Sequence, residues 1–156
     1  AYNNKWYGIW LTGCCGTGIH PIQNVQIVNN TIYNNGGLGI GLYDNPDIRN
    51  VTIRNNISSE NSLNQIVVSG VPTETLSIDH NLVSGNTSRS DEFDGTDVVA
   101  ANPQFVNPAG ADFHLLPGSP AINEGISLNA PPVDFDGHSR PQGTGYDIGA
   151  FEYIAQ

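Results

Sequence analysis

Three groups of residues have types and spacing that could do chemistry. The first is Arg54 with Asp79 and His80. A cation that neutralises a substrate carboxylate, set beside a second group that takes the α-proton, is the equipment of a β-elimination. The same three residues also read as a cross-strand ion pair next to a corner histidine. The second group is the run "DEFDGTD", which offers Asp91, Glu92, Asp94 and Asp97 around Gly95. Hard cations take oxygen ligands from such loops, so calcium is the cofactor it suggests. It lacks the frame of an EF-hand and its closing glutamate, and a solvated acidic loop is the competing reading. "DFDG" at 134–137 is a poorer version. The third group is aromatic. Trp10, Tyr33 and Tyr43, with Tyr7 near them, could stack on the C–H faces of a sugar ring, or pack against neighbouring chain.

A repeat must position these residues. "NVQIVNNTIYNN" from Asn24 returns as "NVTIRNNISSEN" from Asn50 and "TLSIDHNLVSGN" from Thr75, at intervals of 26 and 25 residues. Val25, Val51 and Leu76 align, as do Ile27, Ile53 and Ile78. Asn30, Asn56 and Asn81 align next, followed by Asn35, Asn61 and Asn86. A weaker phrase shares the period, with Ile40 and Leu42 matching Ile66 and Val68. Two short strands per repeat at one period predict a solenoid, with the aligned apolar residues inward. Inward Asn30, Asn56 and Asn81 are expected to form a ladder that satisfies corner backbone and tolerates left-handed angles. The register stacks Arg54 on Asp79 and puts His80 where earlier coils carry Asn29 and Asn55. It also aligns outward Trp10 with Gly41 and Val67. The acidic run occupies an insertion, because Val68 to Val98 is longer than the preceding interval.

At these residues the sequence resembles a right-handed parallel β-helix of the kind found in extracellular polysaccharide lyases and epimerases, over roughly residues 7–100. The later phrases "DFHLLPGSPAINEG", "DFDGHSRP" and "DIGAFEY" resemble the closing segment of secreted bacterial β-helix proteins that precedes surface-anchoring signals. The expected fold is therefore all-β, a parallel β-helix of about four to six coils over 1–100. A proline-rich C-terminal cap follows over 101–156, in the same domain. Ile122, Ile126, Ile148, Phe151 and Tyr153 are expected to plug the solenoid end, and Arg140 to form a clamp with Asp147 and Glu152. The resemblance implies a secreted or cell-surface bacterial protein that meets a polysaccharide or oligosaccharide, either as a lyase-like enzyme or as a noncatalytic glycan-binding or surface-structural module.

Composition narrows the partners. Five Lys and Arg against fifteen Asp and Glu give a net charge of −10, which excludes phosphate-tracking nucleic-acid binding. No apolar run approaches a membrane span. Adjacent Cys14 and Cys15 read as two thiols in a loop or, with strained geometry, as a vicinal or intermolecular bridge. A chain opening on Ala1 without methionine, with "YGIWLTG" as the second strand of an earlier coil, reads as a piece of something longer. Its N-terminal end is then expected to be covered by upstream chain, a partner or a second copy. If the acidic run binds calcium, adding calcium after chelation raises the melting temperature, and Asp94→Ala abolishes that rise in a thermal melt.

Overall fold

The computed structural model describes residues 1–13, 20–85 and 95–155. Cys14, Cys15, Asn86, Asp91, Glu92 and Asp94 lie outside these residues. The chain enters at β1 (Ile9–Thr12). It then turns through β2 (Ile22–Val28), β3 (Thr31–Tyr33) and β4 (Ile40–Tyr43), and again through β5 (Ile48–Arg54), β6 (Ile57–Ser59) and β7 (Ile66–Ser69). A third turn holds β8 (Leu76–Asp79) and β9 (Leu82–Ser84), and β10 (Val99–Ala100) returns beneath β9. Equivalent strands pair in parallel, giving three sheets: β1-β4-β7, β2-β5-β8 and β3-β6-β9-β10. Val51 sits on Val25 and Leu76, and Ile53 on Ile27 and Ile78, in the register the sequence repeat requires.

The two coils β2–β4 and β5–β7 each have three strands, one in each sheet, where the sequence pattern predicts two. The third strand is only three residues long and contributes a single inward side chain, Ile32, Ser58 or Val83, too little to show alternation. β2 and β5 are longer, and each bends at a left-handed asparagine, Asn24 (φ 58) and Asn50 (φ 53). The bend keeps Ile48 and Val51 both inward, which alternation alone would put on opposite faces. The acidic insertion also falls differently than expected. Val98 directly precedes Val99, which pairs with Leu82 in the third sheet, so Val98 does not continue the column of Val68 in the first.

The corners are held by asparagine amides. The backbone N–H and the Nδ2 of Asn30 both donate to Asn56 Oδ1 at 3.0 Å, and those of Asn56 donate to Asn81 Oδ1 at 3.0 Å. Asn56 Nδ2 also reaches Ile27 O at 2.7 Å, and Asn81 Nδ2 reaches Ile53 O at 2.9 Å. A second ladder runs from Asn4 to Asn35 to Asn61, where Gln65 Oε1 takes over as acceptor at 2.8 Å. The first coil therefore begins earlier than "YGIWLTG". Tyr2 bridges Tyr33, and Asn4 occupies the corner above Asn35.

The C-terminal segment lies along the flank of the solenoid instead of plugging its end. A hairpin of β11 (Phe105–Asn107) and β12 (Asp112–Leu115) opens it. Phe105, Phe113, Leu115, Ala121 and Ile148 pack on Ile57 and Leu82, with Tyr33, Val99, Ile122, Phe151 and Tyr153 around them. Ile57, Leu82 and Val99 point out of the third sheet, and leaving them in water would cost roughly 1.5–3 kcal/mol for each large side chain. That apolar outer face decides where the segment goes. The clamp also differs in detail. Arg140 Nη1 pairs with Glu152 Oε1 at 2.6 Å and meets Asp147 only through its carbonyl. The Asp147 carboxylate instead receives the backbone N–H groups of Asn123 and Tyr153, and burial pushes its pKa up. Among the described residues no helix is long and apolar enough to cross a membrane.

Asn56 is fully buried, and its side chain makes four bonds to three residues: Oδ1 accepts from the N–H and Nδ2 of Asn30, and Nδ2 donates to Ile27 O and Asn81 Oδ1. Asn56→Ala is expected to cost about 1–3 kcal/mol per group left unpaired, read as a lowered denaturation midpoint, whereas Ser77→Ala on the exposed face of β8 leaves the midpoint unchanged.

Candidate functional site

Arg54, Asp79 and His80 are brought together. β5 and β8 pair Arg54 with Asp79, and the guanidinium grips the carboxylate with two bonds, Nε to Oδ1 at 2.5 Å and Nη2 to Oδ2 at 2.7 Å. His80 Nδ1 lies 2.9 Å from the same Oδ1. Burial alone pushes the Asp79 carboxyl up, but the bonds from Arg54 and His80 outweigh it and hold the group below the usual aspartate range. The Arg54 and Asp79 side chains are 9% and 14% exposed, and Arg54 Nη1 also faces Leu128 O at 3.4 Å. A guanidinium so engaged positions Asp79 and has no free fork for a substrate carboxylate.

His80 sits at a left-handed corner (φ 50), in one column with Asn29 (φ 51), Asn55 (φ 53) and Asp97 (φ 51). Its backbone N–H donates to Thr96 O, so Asp97 lies on the next level. The upper members of the column face outward and hold the C-terminal segment. Asn29 Nδ2 donates to Asp147 O and Gly149 O, and Asn55 exchanges two bonds with the backbone of Ile126. The lower members, His80 and Asp97, line an open groove of about 480 Å³ with Asn123, Glu124 and Ile126. Of the four carboxylates in the acidic run, only that of Asp97 lies within the described residues. Among these, no three His, Cys, Asp or Glu side chains are placed to hold a metal ion.

The aromatic residues divide between two faces. Trp10 stacks on Tyr7 (centroids 4.3 Å apart, planes 13°) and on Tyr43 (5.5 Å, 24°), on the outer face of the first sheet. Gly41 makes this possible, because a Cβ there would lie 2.5 Å from the indole. Trp6, 63% exposed with Lys5 Nζ 5.6 Å from its ring, precedes this run in the chain. Tyr33 does not join them. It packs edge-on to Phe105 and against Phe113 under the C-terminal segment.

A family described as "Right handed beta helix region" matches residues 1–107. The chain belongs to this family. No curated protein and no solved structure matches the chain. The family match spans the stacked coils of this β-helix and both asparagine ladders.

Two features of the site were not anticipated from the sequence. Asn29 and Asn55 are docking groups as well as corner residues, and nothing local in "VNN" or "RNN" reveals the partner backbone far downstream. The opening coil did carry a signal. "YNN" at Tyr2 and again at Tyr33, each followed by "GI", repeats at a separation of 31 residues, the same separation that links Asn4 to Asn35.

Replacing Asp79 by Asn leaves Arg54 buried beside a neutral partner, which is expected to cost roughly 3–5 kcal/mol at neutral pH. A depressed native pKa adds stability above the unfolded value of about 3.9 and loses it as pH falls through the native value. The difference between wild type and Asp79→Asn in chemical denaturation should therefore be full at pH 7 and shrink below about pH 4.

Proposed function

We propose that this β-helix is a noncatalytic glycan-binding module of an exported, extracellular polysaccharide-associated protein. The observation that carries the reading is the run of Tyr7, Trp10 and Tyr43 across two coils of the first sheet, with exposed Trp6 close by in the chain. Amphipathic rings held in fixed orientation lose little entropy on binding and offer apolar surface to the C–H faces of sugars. Charge favours an uncharged glycan. The net charge is −10, Arg54 and Arg140 are committed to Asp79 and Glu152, and Arg49 leans toward Asp47 at 3.9 Å. A polyuronate would meet repulsion with few cations to offset it.

A second reading, lyase-like proton transfer at His80, is favoured by the Arg54–Asp79–His80 chain opening on the groove with Glu124. There Asp79 would orient the imidazole and His80 would act as the base.

Both readings are tested on one panel of neutral and uronate polysaccharides. Expected are retention on a neutral glycan, loss of about tenfold or more in affinity for Trp10→Ala, on the scale of one buried aromatic contact, and no unsaturated-uronate absorbance. Wild-type binding by Trp10→Ala would sink the module reading. Turnover abolished by His80→Gln would establish the second.

A further inference from the structure

His114, on β12, has a carboxylate at each ring nitrogen. Nδ1 lies 2.6 Å from Asp112 Oδ1 and Nε2 lies 2.8 Å from Asp136 Oδ2. The ring also packs on Phe151, with centroids 4.3 Å apart. A neutral imidazole carries one N–H, so in that form one nitrogen would turn a lone pair toward an anion. Only the imidazolium donates to both carboxylates.

The partners belong to separate parts of the C-terminal segment. Asp112 shares the hairpin strand with His114, whereas Asp136 sits in the turn at 134–138. That turn is built on Asp134, whose carboxylate accepts the N–H groups of Asp136, His138 and Glu152. The turn also carries Phe135, which is edge-on to Phe151 and bonded through its N–H to Ala150 O. The His114–Asp136 bond thus joins hairpin, turn and the final residues at one point.

We propose that His114 is the pin of an acid-closed latch that fastens the β11–β12 hairpin to the 134–138 turn, and that the C-terminal cover loosens as pH rises. The other charged groups nearby do not compete for the pin. His138 Nδ1 faces Asp134 at 3.4 Å, and Glu152 is committed to Arg140. Tyr153 lines a groove with His114, His138 and Glu152. Release of the turn opens the edge of the cleft of about 500 Å³ lined by Tyr2, Phe113, Phe135 and Phe151.

The sign follows from the geometry. The bond to Asp136, with help from Asp112, raises the imidazole pKa against the opposing effect of burial, and His114 in turn holds Asp112 below the usual aspartate range. The latch is fully closed below the ordinary histidine value of about 6.5 and is lost as pH rises through the raised one. At its acid limit it opens when the carboxylates protonate.

The test is hydrogen exchange on the full chain, corrected for intrinsic rates, read over residues 105–116 and 131–140 at pH 5.5 and 8.5. Protection is expected to fall by about two- to fivefold at the higher pH, the scale of one exposed charge pair. His114→Gln and Asp136→Asn should both show the loosened value at both pH values, so either variant suffices if the other folds poorly. NMR titration of the His114 ring in wild type should give a pKa above the ordinary imidazole value, moving down in Asp136→Asn. Equal protection at both pH values, a pH step that survives in His114→Gln, or an ordinary His114 titration overturns the proposal.

Discussion

The backbone N–H of an asparagine donating to the side-chain oxygen of its equivalent one coil below is the bond on which this structure depends. Each corner turns the chain sharply and would leave a buried peptide group without a partner, at a cost of about 1–3 kcal/mol. The Asn30–Asn56–Asn81 amides remove that cost at one corner, and the Asn4–Asn35–Asn61 amides at the next. Each bond joins two levels, so it fixes vertical register as well as satisfying a donor. A slip of one residue would turn the inward Val and Ile columns to solvent, and the amides could not follow such a slip without losing their acceptors.

Fixed register makes side-chain columns, and the columns set what each face can do. On the first sheet, Trp10 lies across Gly41 between Tyr7 and Tyr43. Between the second sheet and the corner, Arg54 stands over Asp79 closely enough for a two-pronged bond. At the left-handed corner positions, Asn29 and Asn55 point outward and hold the C-terminal segment, while His80 and Asp97 face open groove. A single device, level-to-level stacking, produces an aromatic surface, a buried ion pair and a docking edge, according to which side chain occupies the column.

What the sequence revealed follows the same division. The inward columns and the first ladder were legible because they repeat: Ile27, Ile53 and Ile78 recur at nearly constant spacing beside Asn30, Asn56 and Asn81. The stacking of Arg54 on Asp79 followed from that register without further information. The third strand was not legible, because one inward residue per coil shows no periodicity. Nor was the placement of the C-terminal segment, whose anchoring bonds join Asn29 to Asp147 and Gly149 at separations of 118 and 120 residues. The carboxylate that Arg140 pairs with was similarly undetermined. Asp147 and Glu152 are both acidic and nearby in sequence, and only the fold shows that Asp147 is spent on the backbone of Asn123 and Tyr153.

The flank cover has a kinetic consequence. Its bonds to Asn29 close loops that span most of the chain, whereas the ladder bonds close loops of one coil. Loop-closure entropy favours the short loops first, so the coils stack before the cover docks. During synthesis the third sheet is complete while the residues that shield it are still unmade. In that interval Ile57, Leu82 and Val99 face solvent as an apolar stripe beside open strand edges, a surface that invites association with other chains. The molecule's period of greatest exposure to misassembly is therefore set by the delay between making residue 100 and making residue 149.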